Sequence, residues 1–131
     1  MEGSRPTMPD CVFCSIPEDR VIFETSLFFV IEDIFPVSNL HCLIISKRHV
    51  GSYFDLTNEE KLELIEATEL AKTYVDAKDP TIDGYNIGIN VGEEAGQTVM
   101  HFHQHLIPRR RDDMDNPAGG VRGVIPNKQK Y

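Results

Sequence analysis

Residues 100–107 read Met100-His101-Phe102-His103-Gln104-His105-Leu106-Ile107, and Pro108 follows. The alternation predicts a β-strand over this run, closed by the proline. Side chains leave a strand on opposite faces in turn, so His101, His103 and His105 share one face and Phe102, Gln104 and Leu106 the other. Three imidazoles converging within five residues exceed what a solvated or core face needs. Histidine acts as nucleophile, as general acid or base, or as metal ligand, depending on which ring nitrogen holds the proton. Two histidines at i and i+2 on a strand can share a metal, and a covalent imidazole can carry phosphoryl chemistry. Spacing alone leaves these readings open.

Just upstream, the acidic turn Gly92-Glu93-Glu94-Ala95 runs into Gly96-Gln97-Thr98. A glycine-opened loop there can turn backbone N–H groups towards phosphate oxygens, and beside three histidines it lifts the phosphoryl reading. Further back, beyond Asp83-Gly84, the run Tyr85 to Val91 alternates, with Ile87, Ile89 and Val91 on one face and Asn86, Gly88 and Asn90 on the other. It reads as a half-buried strand. Before it, Thr57 and Glu60 form a capping signature, and good helix formers continue to about Lys78, ahead of Pro80. Leu64, Ala67, Ala71, Tyr74 and Val75 fall on one stripe of this helix and should pack on a sheet. Leu62 and Ile65 point elsewhere, as a dimer contact or two ordinary exposed apolar residues would. Cys42 to Ile45 reads as a strand, and Val21-Ile22-Phe23 with Leu27 to Ile31 as a hairpin around Glu24-Thr25-Ser26. Strands, one long helix, then strands indicate an α+β domain with an antiparallel sheet of about five strands.

A length of 131 residues fits a single domain, with residues 1–10 and about 112–131 poor in apolar anchors and either flexible or docked on a partner subunit. With 40% apolar and 26% charged residues the chain has ordinary globular composition. No apolar run is long enough for a membrane span or for a signal peptide, which makes a cytoplasmic location the expectation. A net charge of −8 opposes non-specific binding to nucleic acid, so a phosphate substrate must be held by local donors. The basic run Arg109-Arg110-Arg111 is offset at once by Asp112 and Asp113. Three cysteines in a small cytosolic chain argue against a disulfide framework. Cys11-x-x-Cys14 alone reads equally as a redox pair, a zinc half-site or an accident. Cys42, adjoining His41 on its strand, should face the core.

Asn90-Val91-Gly92, Ala95-Gly96-Gln97-Thr98-Val99 and His101-x-His103-x-His105-Leu106-Ile107-Pro108-Arg109 together resemble the signature of the histidine-triad (HIT) family of nucleotide hydrolases and transferases. The likeness extends to Cys11-x-x-Cys14, Asp33, Pro36, His41 and Lys47-Arg48-His49, and forward through Gly119 to Pro126, an ending like that of bacterial-type members. It implies that His103 is the nucleophile at the α-phosphorus, forming a nucleotidyl-histidine that water then hydrolyses. His105 and His41 match positions beside the phosphate, and Thr98 matches a hydroxyl near the leaving group. By the same likeness Gly96, Gln97 and Val99 offer backbone donors and, with Thr98, belong to the nucleotide site; Asn90 contacts ribose or phosphate and Asp33 the ribose hydroxyls, while Ile31 and Ile34 flank the base. The absent side chain at Gly88 allows close approach on that face.

The resemblance further implies a structural zinc in the zinc-binding branch of the family, held by Cys11, Cys14, His49 and His101, a reasonable closed tetrahedral set. The expected substrate is a purine nucleotide such as a nucleoside phosphoramidate or a diadenosine polyphosphate, with adenine and guanine undistinguished, and the expected assembly is a homodimer. Two other readings compete: a nucleotide-binding regulatory or scaffold protein with incidental hydrolysis, and a metal-dependent hydrolase using the triad as ligands. The chain departs from the family pattern at Gln104, where an apolar residue is usual, which suggests a more polar or contacting outward face. It departs again at Asn39-Leu40, where Pro-Gly is frequent, which touches the turn that aims His41.

Overall fold

The computed structural model describes residues 10–131; the expectation for residues 1–9 lies outside them. After a 3-10 turn at Glu18–Arg20 come strands β1 (Val21–Glu24), β2 (Phe28–Glu32) and β3 (Cys42–Ser46), helix α1 (Asn58–Lys78), and strands β4 (Gly84–Gly88) and β5 (His103–Arg109). They form one five-stranded sheet in the order β1-β2-β3-β5-β4, with every neighbouring pair antiparallel. This is the α+β arrangement expected from the order of elements.

α1 begins where its sequence demands. Thr57 Oγ1 accepts the Glu60 N–H at 3.0 Å and Glu60 Oε1 accepts the Thr57 N–H at 2.8 Å, closing the capping box. Leu64, Ala67, Ala71 and Val75 are buried against Phe28, Val30, Cys42, Ile44, Phe102 and Leu106. The small side chains at 67 and 71 let the helix lie close over β2, β3 and β5. Glu63 ties it to the β1–β2 turn, accepting from Thr25 Oγ1, Ser26 Oγ and the Leu27 N–H, each at 2.6 Å.

The ends of β1, β2 and β3 shift from the sequence reading by a single residue at most, and β4 and β5 differ from it by more. β4 stops at Gly88 instead of Val91, and Ile87 is 55% exposed although it sits opposite Leu106 on the helix side. β4 is the edge strand, so its apolar residue there has no helix above it. β5 begins at His103, with His101 in a bend before it, and runs through Pro108 to Arg109. The proline is tolerated because β3 pairs with β5 only as far as Leu106. The Pro108 carbonyl points to that vacated side and accepts from Ser38 Oγ at 2.7 Å, so the missing N–H breaks no ladder bond. Gln104 does not give a polar outward face: it is buried beneath α1, and its Nε2 donates to Thr68 Oγ1 at 2.9 Å.

Cys42 is a core residue, and burial, with Glu32 adding to it, pushes its thiol up to about 12. The opposite sheet face carries Ile31, Leu43 and Ile45, covered by Phe13, Ile16 and Val21 from the N-terminal segment. Register places His105 beside Leu43 and Gly88, and His103 beside Ile45, on this same face.

Candidate functional site

The N-terminal segment does not cover the whole of that face. It leaves a cleft of about 790 Å³ lined by His103, His105, Asp33, Ile34, Asn90, Gly96, Thr98 and Val99, with Phe13, Phe35 and Leu43 among the other walls. A volume of this order suits a nucleotide-sized ligand. The loop that precedes β5 can turn into the cleft because Gly92 and Gly96 sit at φ +90° and +96°, values that L side chains resist. A Cβ at Gly88 would meet nothing within 4 Å, so the space above His105 is open.

The three histidines do not converge as the alternation suggested. His101 lies outside the strand and is fully buried, turned to the cysteine pair, whereas His103 and His105 line the cleft. Their hydrogen bonds assign the tautomers. His103 Nδ1–H donates to the His101 carbonyl at 2.9 Å, which leaves the Nε2 lone pair free. The Val37 N–H donates to His41 Nδ1 at 3.1 Å, so neutral His41 carries its proton on Nε2. That Nε2–H donates to His105 Nδ1 at 2.9 Å, so His105 in turn carries its proton on Nε2. One cleft histidine is thereby a base and the other a donor.

Burial lowers the pKa of His41 against the opposing pull of Asp33, whose Oδ2 lies 3.5 Å from His41 Nε2. Burial, reinforced by the neighbouring His103 and His41 rings, lowers His105 to about 4. Both rings are neutral at pH 7. Asp33, His41 and His105 also lie close enough to share a metal. The two Nδ1 lone pairs are committed, though, that of His41 to the Val37 N–H and that of His105 to His41, while Asp33 Oδ1 accepts the Phe35 N–H at 2.9 Å and its carboxylate keeps room for further donors. A proton relay uses this set better than a cation would.

Cys11, Cys14, His49 and His101 form a second group whose donor atoms all lie within 4.8 Å of one another. His101 Nε2–H donates to the Ser46 carbonyl at 2.7 Å, which turns its Nδ1 lone pair to the group. Sγ to Nδ1 separations are 3.4 Å for Cys11–His101, 3.2 Å for Cys14–His49 and 3.5 Å for Cys14–His101, and the two Nδ1 atoms are 3.1 Å apart. Tetrahedral zinc with ordinary Zn–S and Zn–N bonds spaces such atoms roughly 3.3 to 3.6 Å apart. The donor set fits zinc.

Ile31 and Gln97 do not line the cleft, and the Gln97 N–H, expected as a backbone donor, is given to the Gly92 carbonyl at 3.1 Å. Ile31 is fully buried beside Leu43, under the floor and not at a base face. Gln97 is also buried, its Oε1 accepting the Gly92 N–H at 2.8 Å and its Nε2 donating to the Gly51 and Val99 carbonyls at 2.7 and 3.1 Å. It braces the loop. Leu40, next to His41, takes φ +70°, so the turn keeps a left-handed residue where glycine would be easier. Phe13, Phe35 and the Val37 N–H escaped the sequence reading. The position of Phe13 inside the Cys11-x-x-Cys14 pair was a usable signal for the first; nothing in the sequence marks the others.

The HIT domain family model matches residues 16–112. The bis(5'-adenosyl)-triphosphatase of Dictyostelium discoideum is 36% identical over 101 residues, covering 77% of this chain and 67% of that protein. A zinc-bound histidine triad family protein from Mycobacterium smegmatis superposes with a TM-score of 0.72 at 34% identity, over 79% of this chain and 78% of that one. A HIT family protein from Bacillus anthracis superposes with a TM-score of 0.73 at 34% identity, over 81% and 77%. Sequence and fold agree, and the chain belongs to the HIT family.

Proposed function

We propose that this protein is a nucleotide hydrolase that cleaves at the α-phosphate of a nucleoside phosphoramidate or a dinucleoside polyphosphate through a covalent intermediate on His103. The observation that carries this reading is the bond from His103 Nδ1 to the His101 carbonyl, which leaves an unprotonated Nε2 in the cleft. In the first step a bond forms between Nε2 and the α-phosphorus, and the bond to the leaving group breaks. The His101 carbonyl steadies the positive charge that grows on the ring. His105 directs its Nε2–H to a non-bridging oxygen, held in that tautomer by His41. The leaving group takes up one proton from solvent by way of Thr98. In the second step water attacks phosphorus, the bond to Nε2 breaks, and the proton is returned.

Asp33 would accept the ribose hydroxyls and Ile34 would lie against the base, with Asn90 and the backbone of Gly96, Thr98 and Val99 around ribose and phosphate. In the basic run, Arg109 pairs with Asp113 at 2.7 Å and Arg110 with Asp79 at 2.9 Å. Zinc, when bound by Cys11, Cys14, His49 and His101, would serve as a structural cross-link.

The working unit on this reading is a homodimer. Leu62, Ile65 and Ile87 are 70%, 59% and 55% exposed around a groove of about 820 Å³ between α1 and β4. A second copy would cover them.

Adenosine phosphoramidate mixed with the protein should give, on acid-free quenching, an intact mass raised by one nucleotidyl group. His103→Ala should lose both the adduct and turnover while still binding AMP. A His103→Ala variant that turns over at near wild-type rate would refute the nucleophile. Binding without turnover in the wild type would favour a nucleotide-binding regulatory role instead.

A further inference from the structure

The group of four metal ligands and the nucleophile are not separate constructions. His101 gives its Nδ1 to the metal group and its carbonyl to His103 Nδ1–H, so one residue serves both. A second link runs through the loop between the cysteines. The Cys14 N–H donates to the Cys11 carbonyl at 3.1 Å, and this turn carries Phe13 inward. The Phe13 ring meets His103 edge-on at 5.0 Å between centroids and His101 at 6.0 Å. Cys11, Val12, Phe13 and Ser15 of the same loop also line the cleft. A wall of the cleft is therefore fixed by whatever holds the two sulfur atoms together.

Resting on the nucleotide reading above, we propose that Phe13 is a positioning residue that couples the Cys11–Cys14–His49–His101 site to His103, so that metal and nucleotide tighten each other's binding. A loop ordered by the metal presents Phe13 to the His103 ring and to the ligand. A bound nucleotide, packed against Phe13, in turn holds the loop in its ligating shape. Linkage makes the two effects equal in factor.

The test is competition for zinc between the protein and a chromogenic chelator, with and without saturating AMP. The wild type should hold zinc about tenfold more tightly when AMP is present, well within the range typical of coupled sites. Phe13→Ala should bind zinc with an affinity that AMP no longer changes, and Phe13→Tyr, which keeps the ring, should restore the effect. A purely packing role predicts that Phe13→Ala weakens zinc equally with and without AMP while the tenfold factor survives; that result would overturn the proposal. So would a wild type that binds AMP with no change in zinc affinity. Failure of the wild type to bind AMP at all would instead overturn the nucleotide reading itself, and the coupling with it.

Discussion

His103 and His105 are two residues apart on one strand and face one cleft, yet their partners give them opposite proton arrangements. A backbone carbonyl holds a proton on one Nδ1; a second imidazole donates to the other and so keeps that ring's proton on Nε2. The His105 arrangement has a cost that pH exposes. Burial keeps its folded-state pKa down at about 4, whereas an unfolded chain takes up that proton near pH 6.5. Between those values the unfolded chain binds more protons, so the stability tied to neutral His105 is complete above about pH 6.5 and is lost as pH falls towards 4. His41, lowered for the same reason, acts in the same direction. Denaturant midpoints measured at pH 7.5 and pH 5 should fall further for the wild type than for His105→Asn, and equal falls would show that this ring is not the group responsible. The sequence put both histidines on one face. It gave no sign of the Val37 N–H that decides the relay, because a backbone donor has no residue type.

At the scale of elements, helix α1 was legible from end to end. Its cap, its apolar stripe and its stop at Asp79-Pro80 are all local, set by bonds and periodicities within a few residues. Less local is the second use of Glu60, which is buried and also accepts from Arg48 Nε at 3.1 Å and from a terminal Arg48 nitrogen at 2.8 Å. Burial alone would raise its pKa, but the bonds from Arg48 and Thr57 outweigh that and keep it low and ionised. Glu60→Ala removes half of the capping box and leaves Arg48, the residue before His49, without its carboxylate. The expected loss is about 2 kcal/mol of folding stability, read from urea denaturation; a loss below about 0.5 kcal/mol would show that the pair is ornamental. Strand ends were read less well. Alternation continued past Gly88 and began before His103, but pairing depends on a neighbour with free backbone groups, and β3 and β4 supply these only over part of the run.

For the molecule as a whole, the uncovered groove beside β4 leads to the fifth prediction. Leu62→Glu combined with Ile65→Glu should sediment as a 14.9 kDa monomer where the wild type sediments at about twice that mass. A wild type that is monomeric at all concentrations would remove the dimer. Sequence by itself determined the element types, the α+β class and the family likeness, because cap signatures, period-two and period-3.6 patterns and motif spacing are properties of short stretches of chain. Tertiary structure alone decided that Ile31 goes under the floor while Phe13 and Phe35 face the cleft, and that His41 and His105 have their protons where they do. Those outcomes turn on which backbone groups from distant segments come within about 3 Å of a ring, and no window of sequence contains both partners.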